Sequence, residues 1–422
     1  MAGRRSALAR STLASVLAVS VTTACVEQHP SWLGANADGS DAAGSEGGSE
    51  GPGPTDTGSE GDTGTESGPD PDMARGGAGV CEDCPWWDAA WTHRSYLDLD
   101  ATEVGSDVPG LQVLVALDPS RIDYAAAAAD GADLRFVDEA GNVLAHELER
   151  WAPGSGSFAW VRVDLDGGTT TRVWLYYGNP AAPDVSDGAA VWAGFGGVWH
   201  LDDLSDASGQ GHDGTAGGDL PTEGPIGGAR SFDGFGAHVM IGVVPALQYL
   251  GDLTIAAWFR VDSVDQDTYS NTLLSLSNPG EMQANNTLYG INLDPGGELW
   301  TFWEAAGAFD VDTKSTSPAD WDDGEWHHVV VTREIATSTV RFYFDGQSLG
   351  APVMWGQSLD PIGGGNSELR FGADPFDPGA WNLHGGLDEL RLAPLVEAPE
   401  RVFLHHRSES DQLITYGAPQ GM

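Results

Sequence analysis

From residue 85 to the C-terminus the chain is written in short apolar runs, each closed by a turn. "LQVLVALD", "FAWVRVDL", "TTRVWLYYGN", "LTIAAWFRVD", "WHHVVVTRE", "TVRFYFDG" and "LDELRLAP" are all of strand length, and Gly, Asp, Asn or Pro separates them. Alternation at period two buries one face of a strand, and turn residues at this spacing fold the chain back on itself, so the fold class is all-β. No helical heptad competes with this pattern. The 58 glycines and 16 tryptophans serve the same architecture, as turn formers and as large apolar bodies. Two helices are expected beside the sheets: a short one in "RIDYAAAAAD" and one or two turns in "APERVFLHHRSES", opened by Pro399.

The first 84 residues follow other rules. Arg4, Arg5 and Arg10 precede the apolar "LASVLAVSV", and "TTAC" sets small residues before Cys25, so residues 1–24 read as a signal peptide. The tetrapeptide resembles a bacterial lipoprotein signal, which implies lipidation at Cys25 and attachment to the cell envelope, at the outer membrane or cell surface. Residues 25–80 are then a lipid-anchored, disordered linker: "GSEGGSEGPGPTDTGSEGDTGTESGPDPD" has no Trp, Phe or basic residue with which to build a core.

With 63 acidic against 19 basic residues the formal net charge is -44, which excludes nucleic acid and anionic membrane surfaces as partners. The membrane is reached only through the lipid. Cys81 and Cys84 form a C-x-x-C pair. With no second pair for zinc and no βαβ pattern for a thioredoxin-like site, a local disulfide in an oxidising compartment is the reading.

Residues 85–183 form one β domain. In order, "W-x-x-R" (Trp91 to Arg94), "DGADLRF", "HELERW", "AWVRV" and "LYYGNPAA" resemble domain-of-unknown-function family 2341, which implies an extracellular β domain and no activity. Residues 190–418 form a second. Its "VWHLDD", "DASGQGHDGT", "SFDG", "LTIAAWFR", "EWHHVVVTR" and "GGLDELRLAP" resemble the laminin-G-like, concanavalin A-like jelly roll, a superfold that hosts lectins, adhesins, lyases and glucanases alike.

That resemblance implies a structural Ca²⁺ at Asp206 and Asp388, with Asp213 a further candidate ligand. The stretch "DLSDASGQGHDGT" is no EF-hand loop, because counting from Asp206 the twelfth position is Gly217 and the bidentate glutamate is missing. A turn cap at Asp206 is the structural alternative. No catalytic residue is expected. The E-x-D-x-x-E string of the superfold's glucanases is absent, and His327 and His328 point to opposite faces of one strand. Glu147 and Glu149 share a strand face at i and i+2, a spacing two glycosidase carboxylates could use, but also the spacing of any solvated strand. Trp303, Trp321, Trp355 and Trp381 are candidates for a sugar-stacking platform or a protein contact, with Trp300 and Phe302 on the face opposite Trp303. These readings predict an envelope-anchored binding or adhesion protein, not an enzyme, recognising carbohydrate or an envelope or extracellular protein. A structural envelope component, and then a glycoside hydrolase or polysaccharide lyase, are the alternatives.

Overall fold

The computed structural model describes residues 85–263, 271–279, 287–303, 311–356, 359, 366–376 and 381–422. Cys25, Cys81 and Cys84, with the stretches expected to form a signal peptide and a tether, lie outside the described residues. No described helix is long and apolar enough to cross a membrane.

The alternating runs become two sandwiches. In the first, a sheet ordered Ile414–Tyr416, His93–Asp100, Thr170–Tyr177, Arg135–Asp138 lies against a second sheet ordered Val108–Leu117, Ser157–Leu165, His146–Arg150. Their inward positions, Leu97, Phe136 and Val173 from one sheet with Val113 and Val161 from the other, make one core. In the second sandwich a nine-stranded sheet carries Leu253–Val261, His384–Ala393, His327–Glu334 and Thr339–Phe344. The opposing seven-stranded sheet runs Val311–Lys314, Leu299–Trp303, Thr287–Leu293, Asn271–Ser277, Glu368–Phe371, His238–Gly242, Thr215–Gly217.

Two expectations change. The alanine run at 125–129 forms turns and no helix. Asp123 accepts from Ala125 N and Ala127 N reaches Asp123 O at 3.2 Å, but Asp133 Oδ1 takes the next N–H, that of Ala128, at 2.9 Å, so the i to i−4 ladder stops after one bond. Five alanines cannot outweigh that, because the first helical turn is costly to nucleate. The jelly roll, expected over 190–418, ends its sheets at Ala393. Beyond it a three-turn helix, Pro399–Glu409, with Pro at its start, Glu400 in its first turn and Arg407 in its last, packs on Val108–Leu117. Ile414–Tyr416 and Gln420–Gly421 then pair with His93–Asp100, in the registers Leu97↔Tyr416 and Arg94↔Gln420. Leu404 and Leu413 join the first core. The physical reason is the edge of His93–Asp100, which would otherwise present unpaired N–H and C=O groups.

Candidate functional site

The seven-stranded sheet has one face in the jelly-roll core and one face outside it. Leu299 and Trp303 point inward, so Trp300 and Phe302 point outward. Strand register carries that outer face sideways: Trp300 sits opposite Lys314 and Asn292, and Asn292 sits opposite Thr272. The Trp300 and Trp381 rings lie 5.4 Å apart, tilted by 41°, and Trp300 meets Phe302 edge-on at 5.7 Å. Phe302 can lie flat on the sheet because its neighbour is Gly290, where a Cβ would come within 2.8 Å of the ring. Beside these rings, Asn292 and Thr272 are fully buried, and neither Asn292 Oδ1, Asn292 Nδ2 nor Thr272 Oγ1 has a hydrogen-bond partner. Buried amides and hydroxyls are seldom left so. Two ion pairs lie on the face, Arg370 with Glu368 at 2.6 Å and Lys314 with Asp294, the lysine also covering the Trp300 ring at 5.1 Å, and Asp312, opposite Phe302, adds an acid to it.

The four predicted tryptophans divide. Trp381 is on this face. Trp303, Trp321 and Trp355 are buried in the jelly-roll core and form no platform. The strand parity was sound but its inner and outer faces are reversed: Trp303 faces the Arg333 guanidinium at 4.5 Å inside the sandwich, and Trp300, its neighbour, takes the open side.

The aspartates of the predicted calcium site are engaged by backbone N–H groups. Asp206 Oδ1 accepts from Val198 N, Ser208 N and Ser208 Oγ, and Oδ2 accepts from His212 N at 3.0 Å. Oδ1 takes three of these bonds and Oδ2 one, so the carboxylate holds the turn together and ties it to Val198. Asp213 accepts from Asp206 N at 2.9 Å, and Asp388 accepts from Glu389 N and Ile226 N. "DLSDASGQGHDGT" is a turn built around a buried aspartate.

A second constellation lies where the sandwiches meet. Glu147 and Glu149 do share a face, yet it is enclosed: their side chains are 14% and 3% exposed, not solvated. Trp192 Nε1–H donates to Glu147 at 2.6 Å and Trp160 Nε1–H to Glu149 at 2.7 Å. From the jelly roll come His200 and Glu389, with His200 Nδ1 2.8 Å from Glu389 Oε1 and His200 Nε2 3.3 Å from Glu147 Oε2. Glu389 stands at φ 51°, an uncommon left-handed residue inside a strand, beside a register shift in the pairing with Leu253–Val261. Arg391 joins Glu389 (3.0 Å) to Glu409 (2.6 Å) of the C-terminal helix.

Burial pushes the Glu149 carboxyl up, and the neighbouring Glu389 adds to this against the pull of His200. Burial likewise lifts Asp388 well above the carboxylate range, with Glu389 and Glu149 contributing. For His200 burial favours the neutral ring, but Glu389, Glu149 and Glu147 outweigh it and raise the imidazole well above its ordinary value. The sequence reading missed His200, Arg391, Glu409, Trp160 and Trp192. A signal existed in "LDELRL", where three charges interrupt a run otherwise apolar enough for a central strand.

No curated protein matches the chain. Among solved structures, domain 4 of AbnA, a GH43 extracellular arabinanase from Geobacillus stearothermophilus in complex with arabinotriose, is 18% identical. The match covers 50% of this chain and 98% of that one, with a TM-score of 0.37. The binding domain of Paraclostridial Mosquitocidal Protein 1 is 14% identical over 51% of this chain and 52% of that one, with a TM-score of 0.41. The Ruminococcus gnavus IT-sialidase CBM40 bound to alpha2,3 sialyllactose is 13% identical over 44% and 96%, with a TM-score of 0.36. Residues 130–213 match the family model "Domain of unknown function (DUF2341)", residues 233–400 match "Concanavalin A-like lectin/glucanases superfamily", and the second sandwich is therefore a concanavalin A-like jelly-roll domain.

Proposed function

We propose that the protein binds a neutral carbohydrate on the outer face of the seven-stranded sheet and does not cleave it. One observation carries this reading: the half-buried Trp300 and Trp381 rings lie 5.4 Å apart on that face. Sugar C–H faces stack on indoles, which suits such a ring pair. The chain's net charge of -44 repels polyanions. The matching family description, which joins lectins to glucanases, supports the same class.

The test is a glycan array probed with the full chain, followed by titration of the strongest hit. Trp300→Ala and Trp381→Ala should each weaken binding at least tenfold, about 1.4 kcal/mol, with an unchanged circular dichroism spectrum. Retention of no glycan, or variants that bind as the parent does, would overturn the reading. Release of reducing ends from the bound glycan would replace binding by catalysis.

We infer, further, that this domain is held at the envelope by a lipid on Cys25, with the acidic tether of residues 25–80 as spacer; the n-region, the h-region and "TTAC" support it. Cys25→Ser should shift the protein from the detergent phase to the aqueous phase, and an unshifted variant would remove the anchor from the account.

A further inference from the structure

We propose that Glu149, His200 and Glu389 form a binding site for one divalent transition-metal ion of the zinc class, joining the two sandwiches. One potential ligand atom from each of the three lies within 4.8 Å of the others. His200 Nδ1 is 2.8 and 3.0 Å from the two Glu389 oxygens and 3.7 Å from Glu149 Oε2. Ligand atoms about 2.1 Å from a tetrahedral ion stand roughly 3.4 Å apart, so small side-chain adjustments suffice.

Three further features point to a cation. Glu149 Oε1 has no hydrogen-bond partner although its side chain is 3% exposed, and an orphaned carboxylate oxygen at that depth is costly. It faces a space held open by Gly227, where a Cβ would lie 3.1 Å from Glu149 Oε1 and 3.0 Å from Asp202 Oδ2. Asp202 is exposed, so a path of oxygens leads from solvent to Glu149. Behind the ring, Glu147 Oε2 lies 3.3 Å from His200 Nε2, the position from which an outer carboxylate orients a metal-binding imidazole through its second nitrogen. Finally, Glu147, Glu149, Glu389 and Glu409 gather around Arg391 and His200, so the ligands stand in a dense set of acidic oxygens. The imidazole nitrogen selects the zinc class over calcium, which takes oxygen ligands alone.

The experiment uses the full chain, stripped with a chelator and titrated with Co²⁺ and then Zn²⁺. One equivalent of Co²⁺ should give visible absorption bands of a low-symmetry nitrogen- and oxygen-ligated ion, and Zn²⁺ should quench them stoichiometrically. Zn²⁺ should also raise the melting midpoint. Glu149→Gln, close in shape to the parent, should weaken Zn²⁺ at least tenfold, and Glu147→Gln, which alters the support of His200 and keeps an oxygen for the Trp192 N–H, by 10- to 100-fold. Absence of a saturable Co²⁺ band in the folded parent protein overturns the site. So does binding by Glu149→Gln equal to that of the parent, which would assign the metal to the acidic tether. Glycan binding is measured in parallel; its presence or absence leaves this outcome unaffected.

Discussion

Three indoles at the seam donate their N–H to three glutamates: Trp160 to Glu149, Trp192 to Glu147 and Trp258 to Glu409, at 2.7, 2.6 and 2.6 Å. Such bonds to charged acceptors are short, and they let large apolar rings close over carboxylates that would otherwise be stranded. The i, i+2 spacing made the shared face of Glu147 and Glu149 legible; alternation says which side chains lie together but not what covers them. His328 belongs to the same seam. It is buried between Trp258 and His406, with Glu409 3.6 Å away and Arg391 and His405 also near, and burial above all lowers its ring from 6.5 to about 4. Above pH 6.5 neither the folded nor the unfolded ring is charged. As the pH falls from 6.5 toward 4 only the unfolded chain takes the proton, so stability is lost across that window, by up to about 3 kcal/mol. Urea midpoints measured at half-unit pH intervals should show this loss. His328→Gln should flatten it; an equally steep acid limb in the variant would place the titration elsewhere, with buried His146, also lowered to about 4, the next group to change.

Among the elements, the outer face of the seven-stranded sheet shows how far pattern reaches. Parity put Trp300 and Phe302 together and Trp303 apart, as found. Parity does not say which side is inward, because both sides of "LWTFWE" are aromatic. The opposing sheet decides that, through residues remote in sequence such as Arg333. Asp133 makes the same point for the missing helix. Fully buried, it receives N–H groups from Ala128, Gly178 and Asn179 and so shapes two loops at once. Asp133→Ala leaves those donors without their acceptor and should cost about 3 kcal/mol or more, seen as a lower urea midpoint. A change under 1 kcal/mol would mean that water replaces the carboxylate. Gly290→Ala should displace Phe302 and weaken glycan binding, with a smaller loss of stability.

For the whole molecule, both β domains were legible, since runs and turns state strand number and approximate extent. Their interdependence was not, because strand pairing across more than 300 residues leaves no local trace. Ending the chain at Ala393 should strip Leu404 and Leu413 from the first core, bare the edge of His93–Asp100 and leave Arg391 and Trp258 without Glu409. We expect aggregation or non-cooperative unfolding of the whole, and a truncated chain that melts as sharply as the parent would show the sandwiches to be autonomous. The pairing of Leu97 with Tyr416 also bears on biogenesis. A chain made from its N-terminus delivers His93–Asp100 early and Ile414–Tyr416 late, so the first sandwich waits, incomplete, for most of synthesis. The result is a high contact order and slow closure. A product lacking residues 414–421 keeps an open strand edge, the mark of an unfinished sandwich.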